Sequence, residues 1–187
     1  MKKILLLMFV IASVSEAISS IEAIEQTYQN TQTFQAEFTQ STYVDLLEKT
    51  ITRSGRIFYQ RGGKLRIEYA GDKMTHYLSD GKRLWVLDPK AKEKDVYSLK
   101  DSGLPEEALK FLTELGQLRQ YFNVSEKKGK TVLKPKKKST YRSLDCIFGE
   151  DHYLKELTIH TASGNTSNYR FFNLQTDVKF PAKLFQP

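Results

Sequence analysis

Short segments in which apolar and polar residues alternate cover most of this chain of 187 residues. Phe34, Ala36 and Phe38, for example, are separated by single polar residues, as in a strand with one buried face. The pattern predicts eleven strands, over 33–44, 50–60, 64–70, 73–79, 83–88, 94–99, 121–126, 130–135, 140–148, 153–161 and 167–175. Short strands joined by glycine-rich turns are typical of an antiparallel meander, sandwich or barrel.

One segment before the first strand follows a helical period instead. Ser19 and Glu22 match a capping box, in which each side chain bonds to the backbone of the other residue. Apolar residues then recur at helical spacing, at Ile21, Ile24 and Tyr28. This pattern predicts an amphipathic helix over 19–30.

A second helical pattern interrupts the strands over 105–115. Pro105 suits the first turn of a helix, and Glu106 and Glu107 complement the helix dipole there. The apolar stripe consists of Ala108, Leu109, Leu112 and Leu115. We expect a short helix packed on the sheet.

Residues 1–17 have the pattern of a secretory signal peptide. Two lysines precede the apolar run 4–12, and the small residues Ser15 and Ala17 suit cleavage. A membrane-spanning helix needs ~20 apolar residues, and no cysteine follows that could carry a lipid anchor. A buried N-terminal helix is the alternative. We predict an exported, soluble single domain over 18–187.

The residues most often used in catalysis are sparse. Cys146 is the single cysteine, and its apolar neighbours favour a buried thiol over a reactive one. His76, His152 and His160 lack the spacing of metal ligands. Motifs for nucleophilic catalysis, phosphate binding and dinucleotide binding are missing from the sequence. We expect no enzyme activity, no metal and no cofactor.

Much of the chain's net charge of +7 comes from one short stretch. Seven lysines fall within twelve residues: Lys127, Lys128, Lys130, Lys134, Lys136, Lys137 and Lys138. A solvated hairpin is the preferred interpretation, and an anionic membrane or protein surface is the alternative. We expect no nucleic-acid partner, because aromatic residues do not interleave with the lysines.

Three segments together resemble one known family. They read FQAEFTQ at 34–40, GRIFYQRGGKLRIEY at 55–69 and DGKRLWVLDP at 80–89. With the signal peptide, the Leu-Pro pair at 104–105 and the closing stretch 182–187, this ordered set resembles the outer-membrane lipoprotein carrier (LolA) family. The resemblance covers essentially the whole mature chain.

The resemblance implies a mainly β fold, an incompletely closed antiparallel β-barrel, or curved sheet, with a helical lid over a hydrophobic cavity. It also implies a monomeric periplasmic chaperone that binds the acyl chains of lipoproteins. Such a carrier takes its cargo from an inner-membrane lipoprotein-releasing transporter to an outer-membrane acceptor. A module of related fold that senses lipid or lipoprotein in envelope signalling is the alternative.

Eight residues are the predicted lipid-binding set: Ile24, Tyr28, Leu65, Ile67, Tyr69, Trp85, Leu109 and Leu112. Acyl chains need such an apolar surface, because each buried methylene contributes about 0.8 kcal/mol. By composition alone, aromatic residues such as Phe58, Tyr59, Trp85 and Phe111 could equally fill a closed core.

The resemblance makes Arg61 the predicted lid gate, because it matches an arginine whose side chain holds the family's lid shut. A guanidinium has five donors and can serve several carbonyl groups at a helix end. Gly62 stands here where the family usually has proline, and Ile67 replaces a usual large aromatic residue.

Overall fold

The computed structural model describes residues 21–71, 75–87, 95–98, 111–112 and 114–187, so the predicted signal peptide lies outside the described residues. The described strands are β1 (Thr33–Val44), β2 (Lys49–Gln60), β3 (Lys64–Tyr69), β4 (His76–Asp80), β5 (Arg83–Leu87), β6 (Asp95–Ser98), β7 (Phe122–Lys127), β8 (Lys130–Pro135), β9 (Tyr141–Phe148), β10 (Leu154–Thr161) and β11 (Thr166–Thr176). Each corresponds to one predicted strand.

All of these strands belong to one antiparallel sheet in the order β6-β5-β4-β3-β2-β1-β11-β10-β9-β8-β7. β1 pairs with β2 on one side and with β11 on the other, and so joins two meanders. Within the described residues, β6 and β7 are the two edges of the sheet. The sheet is therefore curved but not closed, and the predicted fold class is confirmed.

Two helices with both ends described and three short 3₁₀ turns accompany the sheet, and Phe111 is helical as well. Helix α1 (Ile21–Asn30) confirms the first predicted helix, whose residues 19 and 20 lie outside the described residues. Of the second predicted helix, residues 105–110 and 113 also lie outside them. The remaining short elements are the 3₁₀ turns Asp45–Leu47, Leu115–Gln117 and Ala182–Phe185 and helix α2 (Leu118–Tyr121). Among the described residues, we find no helix with the length and hydropathy to span a membrane.

The inner face of the sheet forms the main core. In β3, Leu65, Ile67 and Tyr69 are buried in this core, while the intervening residues are only partly buried. Cys146 on β9 belongs to the same core and is fully buried. Burial raises the pKa of its thiol, and the nearby Asp145 carboxylate adds to the rise. The predicted buried thiol is confirmed.

The outer face of β2 to β5 carries a second, smaller apolar cluster. It contains Phe58, Leu78 and Trp85, and Phe185 from the C-terminal 3₁₀ turn packs onto them. The Arg66 guanidinium donates to the carbonyl oxygen of Leu184 at 3.1 Å and so helps to hold that turn against the sheet. This part of the sheet is therefore buried on both faces.

Gly55 of β2 lies in close contact with the Phe38 ring and with the backbone of β3. A Cβ atom added there would collide with the backbone oxygen of Glu68 and lie 2.7 Å from Cζ of Phe38. The Phe38 ring is almost fully buried and contacts the Tyr69 ring edge-on, with centroids 5.4 Å apart. Glycine thus permits a close approach that no other residue allows.

We predict that Gly55→Ala lowers the free energy of unfolding by about 1–3 kcal/mol, the usual cost of overpacking a core. Urea unfolding, compared with the exposed neighbour substitution Ser54→Ala, measures the difference. Equal stabilities of the two variants would show that the strand can shift to make room.

Candidate functional site

Helix α1 packs its apolar side on the inner face of the sheet. Ile24 is fully buried and Tyr28 nearly so, and both belong to the main core. Phe34 of β1 meets the Tyr28 ring edge-on, with centroids 6.2 Å apart. The predicted amphipathic helix therefore covers the surface to which the predicted lipid-binding residues of β3 belong.

The structure brings six of the eight predicted lipid-binding residues into this one core: Ile24, Tyr28, Leu65, Ile67, Tyr69 and Leu112. Leu109 lies outside the described residues. Trp85 is separate, because it pairs with Leu78, which pairs with Arg66 on the outer side of β3. It packs in the outer cluster, and the Arg83 guanidinium lies 4.8 Å from its ring centroid.

Beneath α1, the side chains of the described residues leave little free space on the inner face. The cavity left beneath α1 has a volume of about 10 Å³, no more than the space one water molecule occupies. Its lining is Tyr28, Phe34, Ala36, Ile57, Leu112, Leu115, Leu154, Phe171 and Leu174. An acyl chain could enter at this point only if some of these side chains moved away, so the described residues close this part of the inner face.

Arg61 holds the C-terminal end of α1. Its guanidinium donates to the carbonyl oxygens of Gln29 and Thr31, the latter from Nε at 3.3 Å and from Nη2 at 3.2 Å. These carbonyl groups lie at a helix end and have no partner within the helix. The predicted partners of Arg61, backbone groups at the end of a helix, are therefore the ones observed.

The turn that carries Arg61 explains the glycine that replaces proline. Gly62 and Gly63 have φ values of +94° and +79°, and proline is restricted to φ near −65°. Gly81 packs directly against both of them, with a Cβ placed on Gly63 lying 2.9 Å from Gly81 Cα. Two glycine turns thus support each other below the Arg61 side chain.

Tyr28 makes a second polar contact between α1 and the sheet. The backbone N–H of Leu154 in β10 donates to the Tyr28 hydroxyl oxygen at 3.0 Å, in a fully buried position. Burial raises the pKa of Tyr28 far above its usual range, and the hydrogen bond from Leu154 opposes this rise. One turn further on, Thr31 and Tyr153 share a hydrogen bond of 2.9 Å between their hydroxyl groups.

Glu25 ties α1 to the segment that follows Leu112. Although it is charged, Glu25 is only 6% exposed. The backbone N–H and the guanidinium of Arg119 both donate to its carboxylate, at 2.8 and 2.9 Å, and Glu22 pairs with the same guanidinium. Gln29 donates to the carbonyl oxygen of Gly116 at 2.7 Å. We call α1 together with residues 114–121 the lid.

The polar contacts of Tyr28 and Glu25 were not predicted from the sequence. Glu22, Glu25 and Gln29 are spaced three and four residues apart, so a polar stripe beside the apolar one was visible. Its partner Arg119 is 94 residues away from Glu25 in sequence, and no local pattern marks it. The Leu154 amide that bonds to Tyr28 belongs to the backbone and leaves no trace in the sequence.

The described residues contain no cluster of three or more His, Cys, Asp or Glu side chains that could hold a metal ion. His160 contacts the Asp145 carboxylate at 3.2 Å on the outer face of the sheet. The inner face therefore provides an apolar surface beneath a helix that a few hydrogen bonds hold in place.

The sequence is similar to those of several known carrier proteins. A Legionella pneumophila (strain Corby) outer-membrane lipoprotein carrier protein is 29% identical over 195 residues, which cover 100% of this chain and 94% of the relative. Another from Alkalilimnicola ehrlichii is 29% identical over 166 residues, covering 86% of this chain and 76% of the relative.

Solved structures show the same fold at low identity. A DUF1329-family protein from Desulfovibrio piger has a TM-score of 0.56 at 15% identity, covering 91% of this chain and 96% of that one. A LolA-superfamily protein from Nitrosomonas europaea has a TM-score of 0.52 at 11% identity, covering 89% and 97%. Residues 29–187, which include the whole sheet, match the family of the outer membrane lipoprotein carrier protein LolA, and the chain belongs to that family.

Proposed function

We propose that this protein is a soluble, monomeric periplasmic chaperone that binds the acyl chains of lipoproteins and carries them from the inner membrane to the outer membrane. One observation carries the proposal: an apolar inner face lies beneath a helix that a few polar contacts hold in place. The family supports lipoprotein as the cargo. The N-terminal signal-peptide pattern supports export.

The filled interior suits a carrier that must also release its cargo. An acyl chain that enters would replace the contacts that Leu112, Leu115 and Tyr28 make with the sheet. Burial of each methylene contributes about 0.8 kcal/mol, but the displaced side chains lose comparable burial. Binding is therefore close to an exchange, and closing of the lid helps to expel the chain.

The proposed direction of transport is from an inner-membrane partner to an outer-membrane partner. An inner-membrane lipoprotein-releasing transporter loads the protein, and an outer-membrane acceptor takes the cargo from it. Acyl chains left in water would return to the nearest membrane, so the carrier shields them between these two steps.

The proposal predicts that the purified protein binds an environment-sensitive apolar dye. A diacylated or triacylated lipoprotein should displace the dye, because both occupy the inner face, while the same polypeptide without acyl groups should not. Dye fluorescence measures the displacement. Equal displacement by the two polypeptides would mean that the acyl chains are not what is recognised.

Arg61→Leu is expected to leave cargo binding intact and to slow cargo release by about tenfold or more. The variant loses hydrogen bonds that contribute about 0.5–1.5 kcal/mol each, and more for a charged donor, to the closed state. Transfer of labelled lipoprotein to an acceptor measures release. Arg142→Leu, an exposed arginine on β9, is the matched control, and a transfer rate equal to that of the control would contradict the gate.

Tyr28→Phe is expected to favour the open state. In the closed state of this variant the buried Leu154 N–H has no acceptor, whereas in the open state water can accept its hydrogen bond. An unpaired buried donor costs about 1–3 kcal/mol, which predicts an increase of about 5- to 150-fold in the ratio of open to closed protein. Hydrogen exchange at the Leu154 amide measures this. Tyr43→Phe removes the hydroxyl of a partly exposed tyrosine and serves as the control. Unchanged exchange would show that the hydroxyl does not hold the helix.

A further inference from the structure

The sheet ends in a strongly basic hairpin that the carrier function leaves unused. This basic hairpin comprises β7, β8 and the residues up to 138, and it contains the seven exposed lysines Lys127, Lys128, Lys130, Lys134, Lys136, Lys137 and Lys138. Within the described part of the chain, no acidic side chain forms an ion pair with any of them. Among the described residues, ion pairs therefore do not neutralise these positive charges, and the lysine side chains are exposed to solvent.

Protection of the sheet edge does not account for this charge. Lysines on an edge strand prevent another chain from pairing with it, and β7 is an edge strand in the described sheet. Yet β7 contains one lysine, Lys127, whereas Lys130 and Lys134 lie on β8, which is paired on both sides. Lys136, Lys137 and Lys138 follow the end of β8. Most of the charge thus lies where no edge needs protection.

An open pocket lies beside the last three of these lysines. Its volume is about 190 Å³, and its lining includes Tyr121, Tyr141, Lys137 and Lys138 together with one acidic residue, Glu114. Tyr121 is 39% exposed, and tyrosine is favoured where an apolar ring meets a polar boundary. The pocket therefore combines positive charge with a side chain suited to a membrane interface.

We propose that the basic hairpin docks this protein on the anionic phosphate headgroups of a phospholipid membrane surface. Clusters of four to eight basic residues bind such surfaces through their summed charge, without a fixed geometry. Protein interfaces, in contrast, are depleted of lysine and favour arginine, whose planar fork pairs with carboxylates in a defined geometry. The basic hairpin contains seven lysines and no arginine, which favours a membrane over an acidic protein.

Docking would place the lid beside the membrane. Lys136 Nζ donates to the carbonyl oxygen of Arg119 at 2.6 Å, and its backbone N–H donates to the carbonyl oxygen of Tyr121 at 3.0 Å. Arg119 in turn holds Glu25 of α1. The basic hairpin is thus bonded directly to the part of the lid that moves in the proposed carrier function.

Sedimentation with vesicles tests the proposal on the full exported protein. The vesicles contain phosphatidylcholine with or without phosphatidylglycerol. The hairpin variant is Lys134→Gln/Lys137→Gln/Lys138→Gln, which spares Lys136 and its hydrogen bonds. The control variant is Lys49→Gln/Lys179→Gln/Lys183→Gln, which removes the same charge from exposed lysines elsewhere. No acylated cargo is present, so the result is independent of whether the protein carries acyl chains.

The wild-type protein and the control variant should bind vesicles that contain phosphatidylglycerol. The hairpin variant should bind about 100-fold more weakly, because each lysine near the surface contributes about a fivefold gain in binding. Added salt should abolish the difference, because it screens exposed charges. An unchanged circular dichroism spectrum should show that the hairpin variant is folded.

Three results would overturn the proposal. Equal loss of binding in both variants would show that only net charge matters. Equal binding to vesicles without phosphatidylglycerol would show that the charge is not used. The third result is that the protein does not bind anionic vesicles but binds immobilised polyglutamate through the hairpin lysines. That result would assign the basic hairpin to an acidic protein partner.

Discussion

The pairing of β1 with both β2 and β11 makes the rest of the structure possible. It joins residues at opposite ends of the sequence, with Phe34 opposite Thr176 and Tyr43 opposite Thr166. Without this ladder, the meanders β1–β6 and β7–β11 would be two sheets, each with its own exposed apolar face. With it, Phe34, Ala36 and Phe38 stand in the middle of one continuous core. The surface that α1 covers exists only because the two meanders share it.

The alternation of apolar and polar residues predicted the strands well, because it depends only on neighbouring residues. It does not show which face of β5 Trp85 occupies. Leu65 and Ile67 alternate with charged residues, so their side of β3 was readable. In β5, both Leu84 and Trp85 are buried, since the C-terminal turn with Phe185 covers the outer face there. A strand buried on both faces loses the alternation from which a side could be assigned. Trp85 belonged to the predicted lipid-binding set, and it packs in the outer cluster instead.

The lid contacts could be predicted only where a family resemblance supplied the long-range information. Arg61 was assigned to backbone groups at a helix end, and it bonds to the carbonyl oxygens of Gln29 and Thr31. Nothing local identified Arg119 as the partner of Glu25 or a β10 amide as the donor to Tyr28. These pairs form between segments that meet only after the sheet has curved. Sequence patterns specify the elements, and the polar contacts between distant elements follow from the assembled fold.

Two kinds of contact stabilise the lid on the sheet. In the proposed carrier an acyl chain can replace the apolar contacts, but it cannot replace the hydrogen bonds. Leu112 and Leu115 line the small cavity beneath α1, and in the proposed carrier a methylene chain takes over their contacts with the sheet. Arg61, on the turn between β2 and β3, bonds to Gln29 of α1, and Tyr28 of α1 bonds to Leu154 of β10. An acyl chain cannot replace these hydrogen bonds, so opening of the lid in the proposed carrier breaks them. The bonds of Glu25 with Arg119 instead connect two parts of the lid and can survive if those parts move together. In the proposed carrier, hydrogen bonds between the lid and the sheet set how readily the lid opens, while the apolar interior determines which chains stay bound.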